Sequence, residues 1–204
     1  TKSNEDSRKM KKVILAILLT LAPTLILADK QGKITQKQGY FVGLRLAHQD
    51  AKGGTDSNTY GIKFGKHMYD WLDLSISTRL KDKQAPSNSN DTRWETGAKL
   101  KHKLSQDWST SLYLGTGEKF TDDDNYSYWA VTPGIKYKLN SDWAVGTSVR
   151  WRNSYNTSHE QQDTTYAVKL GYQFGPNTVL DTRYRIKRGD SDYNELGLGL
   201  TFDF

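Results

Sequence analysis

The chain has 204 residues, an apolar content of 35% and a formal net charge of +6. Its mean hydropathy of −0.76 excludes a helical membrane protein, whose spans need about 20 consecutive apolar residues each. Cysteine is absent, which excludes a disulfide scaffold, a lipoprotein acylation site and thiolate metal ligation together.

One long apolar run is present, Val13 to Ala28. Met10, Lys11 and Lys12 precede it and Pro23 interrupts it, the charged n-region and short h-region of a secretory signal peptide over residues 10–28. Cleavage is expected after Ala28, with Ile26 at the minus-three position. A membrane anchor is the alternative, and a run of sixteen residues containing a proline is short for one. Residues 1–9 are read as upstream of the natural start at Met10, without a structural role, and 29–38 as a periplasmic N-terminal segment. Without residues 1–28 the balance is 24 Lys and Arg against 21 Asp and Glu. Net charge then says little, and its placement says more.

From residue 39 onward the period is two: stretches of about ten residues alternate apolar and polar side chains, separated by polar or glycine-rich turns. Ten strands are predicted, at 39–48, 59–68, 71–80, 92–104, 108–117, 126–139, 143–153, 164–174, 178–187 and 193–204. In the last, Leu196, Leu198, Leu200, Phe202 and Phe204 share one face and Gly197, Gly199, Thr201 and Asp203 the other. A soluble β-sandwich also alternates, but its apolar face turns to a shared core, and it gives no reason for an export signal or a terminal aromatic.

An internal repeat supports the count. Gly61-Ile62-Lys63, Gly97-Ala98-Lys99, Gly134-Ile135-Lys136 and Ala167-Val168-Lys169 recur every 33 to 37 residues, each leading toward a turn. Three turns, at Tyr69-Asp70-Trp71, Gln106-Asp107-Trp108 and Ser141-Asp142-Trp143, deliver a tryptophan at the start of the next strand; Asp and Asn favour such turns by bonding their own backbone. Trp71, Trp108 and Trp143 are expected to form an aromatic belt, since indole has an apolar body and a polar N–H. Connections at the opposite ends are longer, and short turns on one side with longer loops on the other are the asymmetry of outer-membrane barrels, whose short turns face the periplasm. Closure with an even strand number follows because hydrocarbon offers no partner to an open sheet edge. The expected fold is a closed antiparallel up-and-down transmembrane β-barrel of about ten strands, with eight or twelve as alternatives.

With the apolar parity facing lipid, the lumen receives fourteen cations, Arg45, Lys63, Arg79, Lys99, Lys101, Lys103, Lys136, Lys138, Arg150, Arg152, Lys169, Arg183, Arg185 and Lys187. It receives five acids: Asp73, Glu95, Asp181, Glu195 and Asp203. An unpaired buried charge costs several kcal/mol, so an excess of this size implies a hydrated lumen. Inward glycines, among them Gly43, Gly61, Gly97, Gly115, Gly134, Gly146 and Gly171, are expected to make room for the long basic side chains. Arg45, Lys63, Arg79, Lys99, Lys136, Arg150, Lys169, Arg183 and Arg185 are the candidate anion path. Lys63, Lys99, Lys136 and Lys169 form a ring or, with stagger, a spiral, and basic rings select anions; a solvated basic wall that tunes nothing is the alternative reading. Guanidinium forks add two-point binding of carboxylate or phosphate.

Acidic residues gather in the outer loops, Glu118 with Asp122, Asp123 and Asp124, and Asp190 with Asp192, where they are read as solvated, with divalent bridging to lipopolysaccharide as the alternative. His48, His67, His102 and His159 have no metal spacing, and a His48–Asp50 catalytic pair is a minor reading. No cofactor and no metal site are expected. Nucleic acid is not an expected partner, because the basic residues alternate along strands and make no exposed patch.

On the export signal, the hairpin repeats and the final strand Gly199-Leu200-Thr201-Phe202-Asp203-Phe204, residues 39–204 resemble the bacterial outer-membrane β-barrel class. The resemblance implies an outer-membrane location in a Gram-negative cell, contact with the bilayer and lipopolysaccharide, and Gly199, Phe202 and Phe204 as the signal read by the barrel-assembly machinery. The basic lumen and small size are similar to the monomeric oligogalacturonate porins, which have twelve strands. Ten strands also resemble the omptin proteases, whose barrels project further than this length allows. The expected activity is a narrow passive channel for small anionic solutes, not an enzyme; a non-conducting structural or surface-interaction barrel, and an outer-rim enzyme, are the alternatives.

Overall fold

A computed structural model describes residues 39–51, 56–83, 90–121, 125–155, 162–189 and 192–204. The expected signal peptide, the segment 29–38, and Asp122, Asp123, Asp124, His159 and Asp190 lie outside the described residues.

Ten strands form: β1 (Gly39–Ala51), β2 (Ser57–Tyr69), β3 (Leu72–Lys83), β4 (Asn90–Lys103), β5 (Trp108–Phe120), β6 (Asn125–Lys138), β7 (Trp143–Ser154), β8 (Gln162–Gly175), β9 (Thr178–Gly189) and β10 (Tyr193–Asp203). Each pairs antiparallel with its neighbours in sequence, and β1 pairs with β10 to close the barrel. At that seam Tyr40 N–H donates to the Phe204 carbonyl (2.6 Å) and Phe204 N–H to the Tyr40 carbonyl (2.8 Å). No open edge is left, so no strand of the ring leaves its ladder unpaired.

The alternation resolves into two faces. Leu44, Leu46, Tyr60, Phe64, Ile76, Leu112, Leu114, Leu170, Leu180, Leu196 and Leu198 are exposed on the outside, a continuous apolar band far beyond the few hundred Å² a soluble monomer tolerates. Trp71, Trp108 and Trp143 are exposed at the short-turn end. Each lies against a tyrosine near the same rim: Tyr69 at 5.3 Å, Tyr137 at 4.6 Å and Tyr172 at 4.7 Å. Phe202 and Phe204 point outward with them, and Phe204 stacks on Tyr40. In two of these turns the bonding is resolved, and in one of them it comes from a serine in place of the expected Asp or Asn. Ser105 Oγ accepts from Asp107 and Trp108 N–H, and Asn140 Oδ1 from Asp142 and Trp143 N–H, the latter as expected of an asparagine.

Register sets the dimensions. Starting from Arg45, the ladders lead one way through Gly61, Arg79, Arg93 and Lys119 to Tyr126. The other way runs through Gly199, Asp181, Gly171 and Ala144 to Lys138. Both paths end on β6, twelve residues apart, which is the shear of the barrel. Ten strands with that stagger tilt by about 40° and enclose a backbone cylinder about 20 Å across. Inward side chains from opposite walls therefore meet.

The inward glycines divide: Gly43, Gly61 and Gly146 lie against Lys63, Arg45 and Lys136, as expected, and others serve a different purpose. A Cβ on Gly97 would lie 2.6 Å from the Tyr113 hydroxyl, one on Gly117 2.8 Å from the Tyr128 hydroxyl, and one on Gly199 2.8 Å from the Asp181 carboxylate. These positions make room for two tyrosine rings and a carboxylate rather than for Lys and Arg. Gly97→Ala is expected to destabilise the barrel by about 1–3 kcal/mol through overpacking, read as a lower urea midpoint in lipid vesicles, whereas Gly175→Ala, with open space around it, should not.

Candidate functional site

The inward faces enclose a cavity of about 680 Å³ running from the short-turn rim, at Asn140 and Trp143, up to Arg152, Lys187 and Tyr193. All nine residues of the expected path, Arg45, Lys63, Arg79, Lys99, Lys136, Arg150, Lys169, Arg183 and Arg185, line it. Their surroundings divide them.

At the short-turn mouth, His67 contacts Asp73 (2.7 Å) and Asp203 (3.5 Å), and Lys101 pairs with Asp73 (2.6 Å). His67 is thus built into a charged cluster, not an ordinary polar position. Deeper in, Asp181 takes both Lys169 (3.0 Å) and Arg183 (3.4 Å). Lys63 lies over the rings of Phe41 (5.6 Å) and Tyr113 (5.5 Å), a cation–π arrangement.

At mid-height two carboxylates stand on opposite walls. Glu195 on β10, with a fully buried side chain, binds Arg45 of β1 and Arg185 of β9 (3.3 Å). It also accepts from Gln49 Nε2 (2.8 Å), whose amide oxygen accepts from Ser57 (3.1 Å). Glu95 on β4 binds both terminal guanidinium nitrogens of Arg150 on β7, and accepts from Tyr113 and Tyr128 hydroxyls (2.9 Å each). Toward the long-loop end, Asp163 pairs with Arg152 and Lys187 (3.3 Å), and Asp91 with Lys83 (3.3 Å) and Lys119 (3.4 Å). Tyr128 is sandwiched between the guanidinium groups of Arg93 (5.5 Å) and Arg152 (5.2 Å).

Most acids here are clasped by two cations, so each such node keeps a net positive charge. Among the described residues, Lys63, Arg79, Lys99 and Lys136 have no carboxylate at ion-pair distance, yet face the cavity. The four expected lysines do not share one level. In register, Lys63 faces Ser77, Lys99 faces Asp73, and Lys136 and Lys169 both face Gly146. With a shear of twelve, Lys63, Lys99 and Lys136 descend toward the short-turn end while Lys169 returns nearer to Lys63, a spread of about 8 Å along the axis. Lys63, Lys99 and Lys136 follow a spiral, and Lys169 departs from it.

Sequence reasoning missed the upper layer. Nine of the ten strands run past their expected long-loop ends, to residues 51, 57, 83, 90, 120, 125, 154, 162 and 189. This adds Lys81, Lys83 and Lys119 to the interior, and Asp91 and Asp163 as acids. Arg93, inside its predicted strand, also faces the cavity, so the cationic excess grows. Continuing the period-two pattern into the polar ends would have found these residues. His48 contacts Asn58 (3.0 Å) rather than forming the minor His48–Asp50 arrangement.

No family model matches the sequence, and no curated protein matches it. Solved structures do resemble the fold. The NanC porin has 12% identity and a TM-score of 0.50, over 79% of this chain and 98% of that one. An outer membrane channel from Pseudomonas putida F1 has 12% identity and a TM-score of 0.52, over 82% and 96%. The β domain of the Bordetella autotransporter BrkA has 12% identity and a TM-score of 0.50, over 82% and 99%. At this identity the likeness speaks for the barrel fold alone.

Proposed function

We propose that the chain is a bacterial outer-membrane barrel whose cationic lumen passes small anionic solutes passively, with its short-turn end in the periplasm. The observation that carries this reading is the set Lys63, Arg79, Lys99 and Lys136, which face the cavity without an ion-pair partner among the described residues. Charges held unpaired in a dry interior would cost several kcal/mol each, so water or mobile anions must balance them. Distributed basic residues offer an anion several shallow positions instead of one deep trap, which conduction requires. The apolar outer band and the porin and channel among the similar folds support the membrane setting.

A non-conducting structural barrel is the second reading. It draws on the Glu95–Arg150 pair and on Tyr113 and Tyr128, which occupy part of the lumen. Reconstitution into a planar bilayer under a KCl gradient separates the two. Discrete steps with a reversal potential on the chloride side are expected; folded protein that yields no steps would support the structural barrel.

A further inference from the structure

Side chains from three consecutive strands converge on one carboxylate of the strand before them. Glu95 of β4 receives Tyr113 of β5, Tyr128 of β6 and Arg150 of β7. β4 and β7 are three strands apart on a ring of ten, so the Glu95–Arg150 pair crosses the bore as a chord of about 16 Å rather than lying along the wall. Behind the chord, the two tyrosine rings fill the space that Gly97, Gly115 and Gly117 leave open. On the other side of the chord Arg45, Lys63, Arg79, Arg183 and Arg185 line the cavity. Glu195 makes a similar node, but its two arginines come from the adjoining strands β1 and β9, and it stays on the wall.

We infer that Glu95 is the specificity-determining residue of the lumen, an internal stand-in for the permeating anion that holds Arg150 across the bore until a solute oxyanion takes its place. The inference rests on the channel reading. A guanidinium fork binds carboxylate or phosphate at two points, so a solute carrying either group replaces Glu95 at Arg150 with like contacts. Glu95, once released, keeps two phenol donors. A halide offers a single spherical acceptor and cannot reproduce the fork. The latch therefore favours oxyanions over chloride, beyond what lumen charge alone would do.

Single-channel recording in potassium acetate, potassium phosphate and potassium chloride tests this with the full chain, Glu95→Gln, Glu95→Asp and Arg150→Gln. The wild type is expected to prefer the oxyanions over chloride beyond the ratio of their mobilities. Glu95→Asp keeps the charge but is one methylene too short to hold the chord, so chloride conductance should rise on the order of two- to fivefold and the preference disappear. Glu95→Gln should do the same. A rise with Gln but not with Asp would mean the carboxylate acts only through its field, and the latch would be wrong; no change in either would also overturn it. If Glu95 variants do not fold, Arg150→Gln removes the other end, and an unaltered oxyanion preference there overturns the inference. Folded wild type without any conductance defeats the channel reading itself, a separate outcome from a conducting wild type whose variants behave alike.

Discussion

Replacing Lys63, Lys99 and Lys136 together by glutamate is expected to invert the ion selectivity, moving the reversal potential in a KCl gradient by on the order of tens of millivolts toward the potassium side. These three are cavity-facing cations with no ion-pair partner among the described residues, so no salt bridge resists the exchange. The backbone cylinder is about 20 Å across, and at 0.1 M salt the Debye length is about 10 Å. Every path along the axis therefore runs within screening range of the wall. The triple glutamine variant should fall between wild type and the glutamate variant. A glutamate variant that migrates as a folded barrel and keeps the wild-type reversal potential would remove the basis for an anion path.

Glu195→Ala is expected to cost about 3–5 kcal/mol of barrel stability, the range for removing one partner of a buried ion cluster. It leaves Arg45 and Arg185 facing each other without their carboxylate, and Gln49 without its acceptor. Urea unfolding in vesicles, followed by tryptophan fluorescence, measures the loss. Glu195→Gln should cost less, because the amide oxygen still accepts a hydrogen bond, and Arg45→Ala in the Glu195→Ala background should recover part of the deficit by removing an unpaired cation. A Glu195→Ala loss below about 1 kcal/mol would mean that water already satisfies these guanidinium groups.

How much of this was legible in the chain depended on the range of each interaction. Strand number was readable because Leu196, Leu198 and Leu200 alternate with Gly197 and Gly199 within one strand, and pleating alone sends the two sets to opposite faces. Trp71, Trp108 and Trp143 were readable as a rim because each follows a turn. The long-loop ends were not. On polarity Asp91, Asp163 and Lys119 look like loop residues, so the period-two pattern was not carried through them, and in the fold they stand in ladder register with Lys81, Arg152 and Arg93. Glycines posed the same difficulty: that Gly97 and Gly115 hold space for Tyr113 is visible only when β4 and β5 lie side by side.

By itself the sequence determined the parity of every strand, and with it the cationic character of the interior, because side-chain direction in a pleated strand is a local property of period two. Only the closed tertiary structure decided which cations meet a carboxylate and which face the cavity without one. Glu95 and Arg150 are 55 residues apart, and their meeting depends on a shear of twelve around a ring, a quantity no single strand carries.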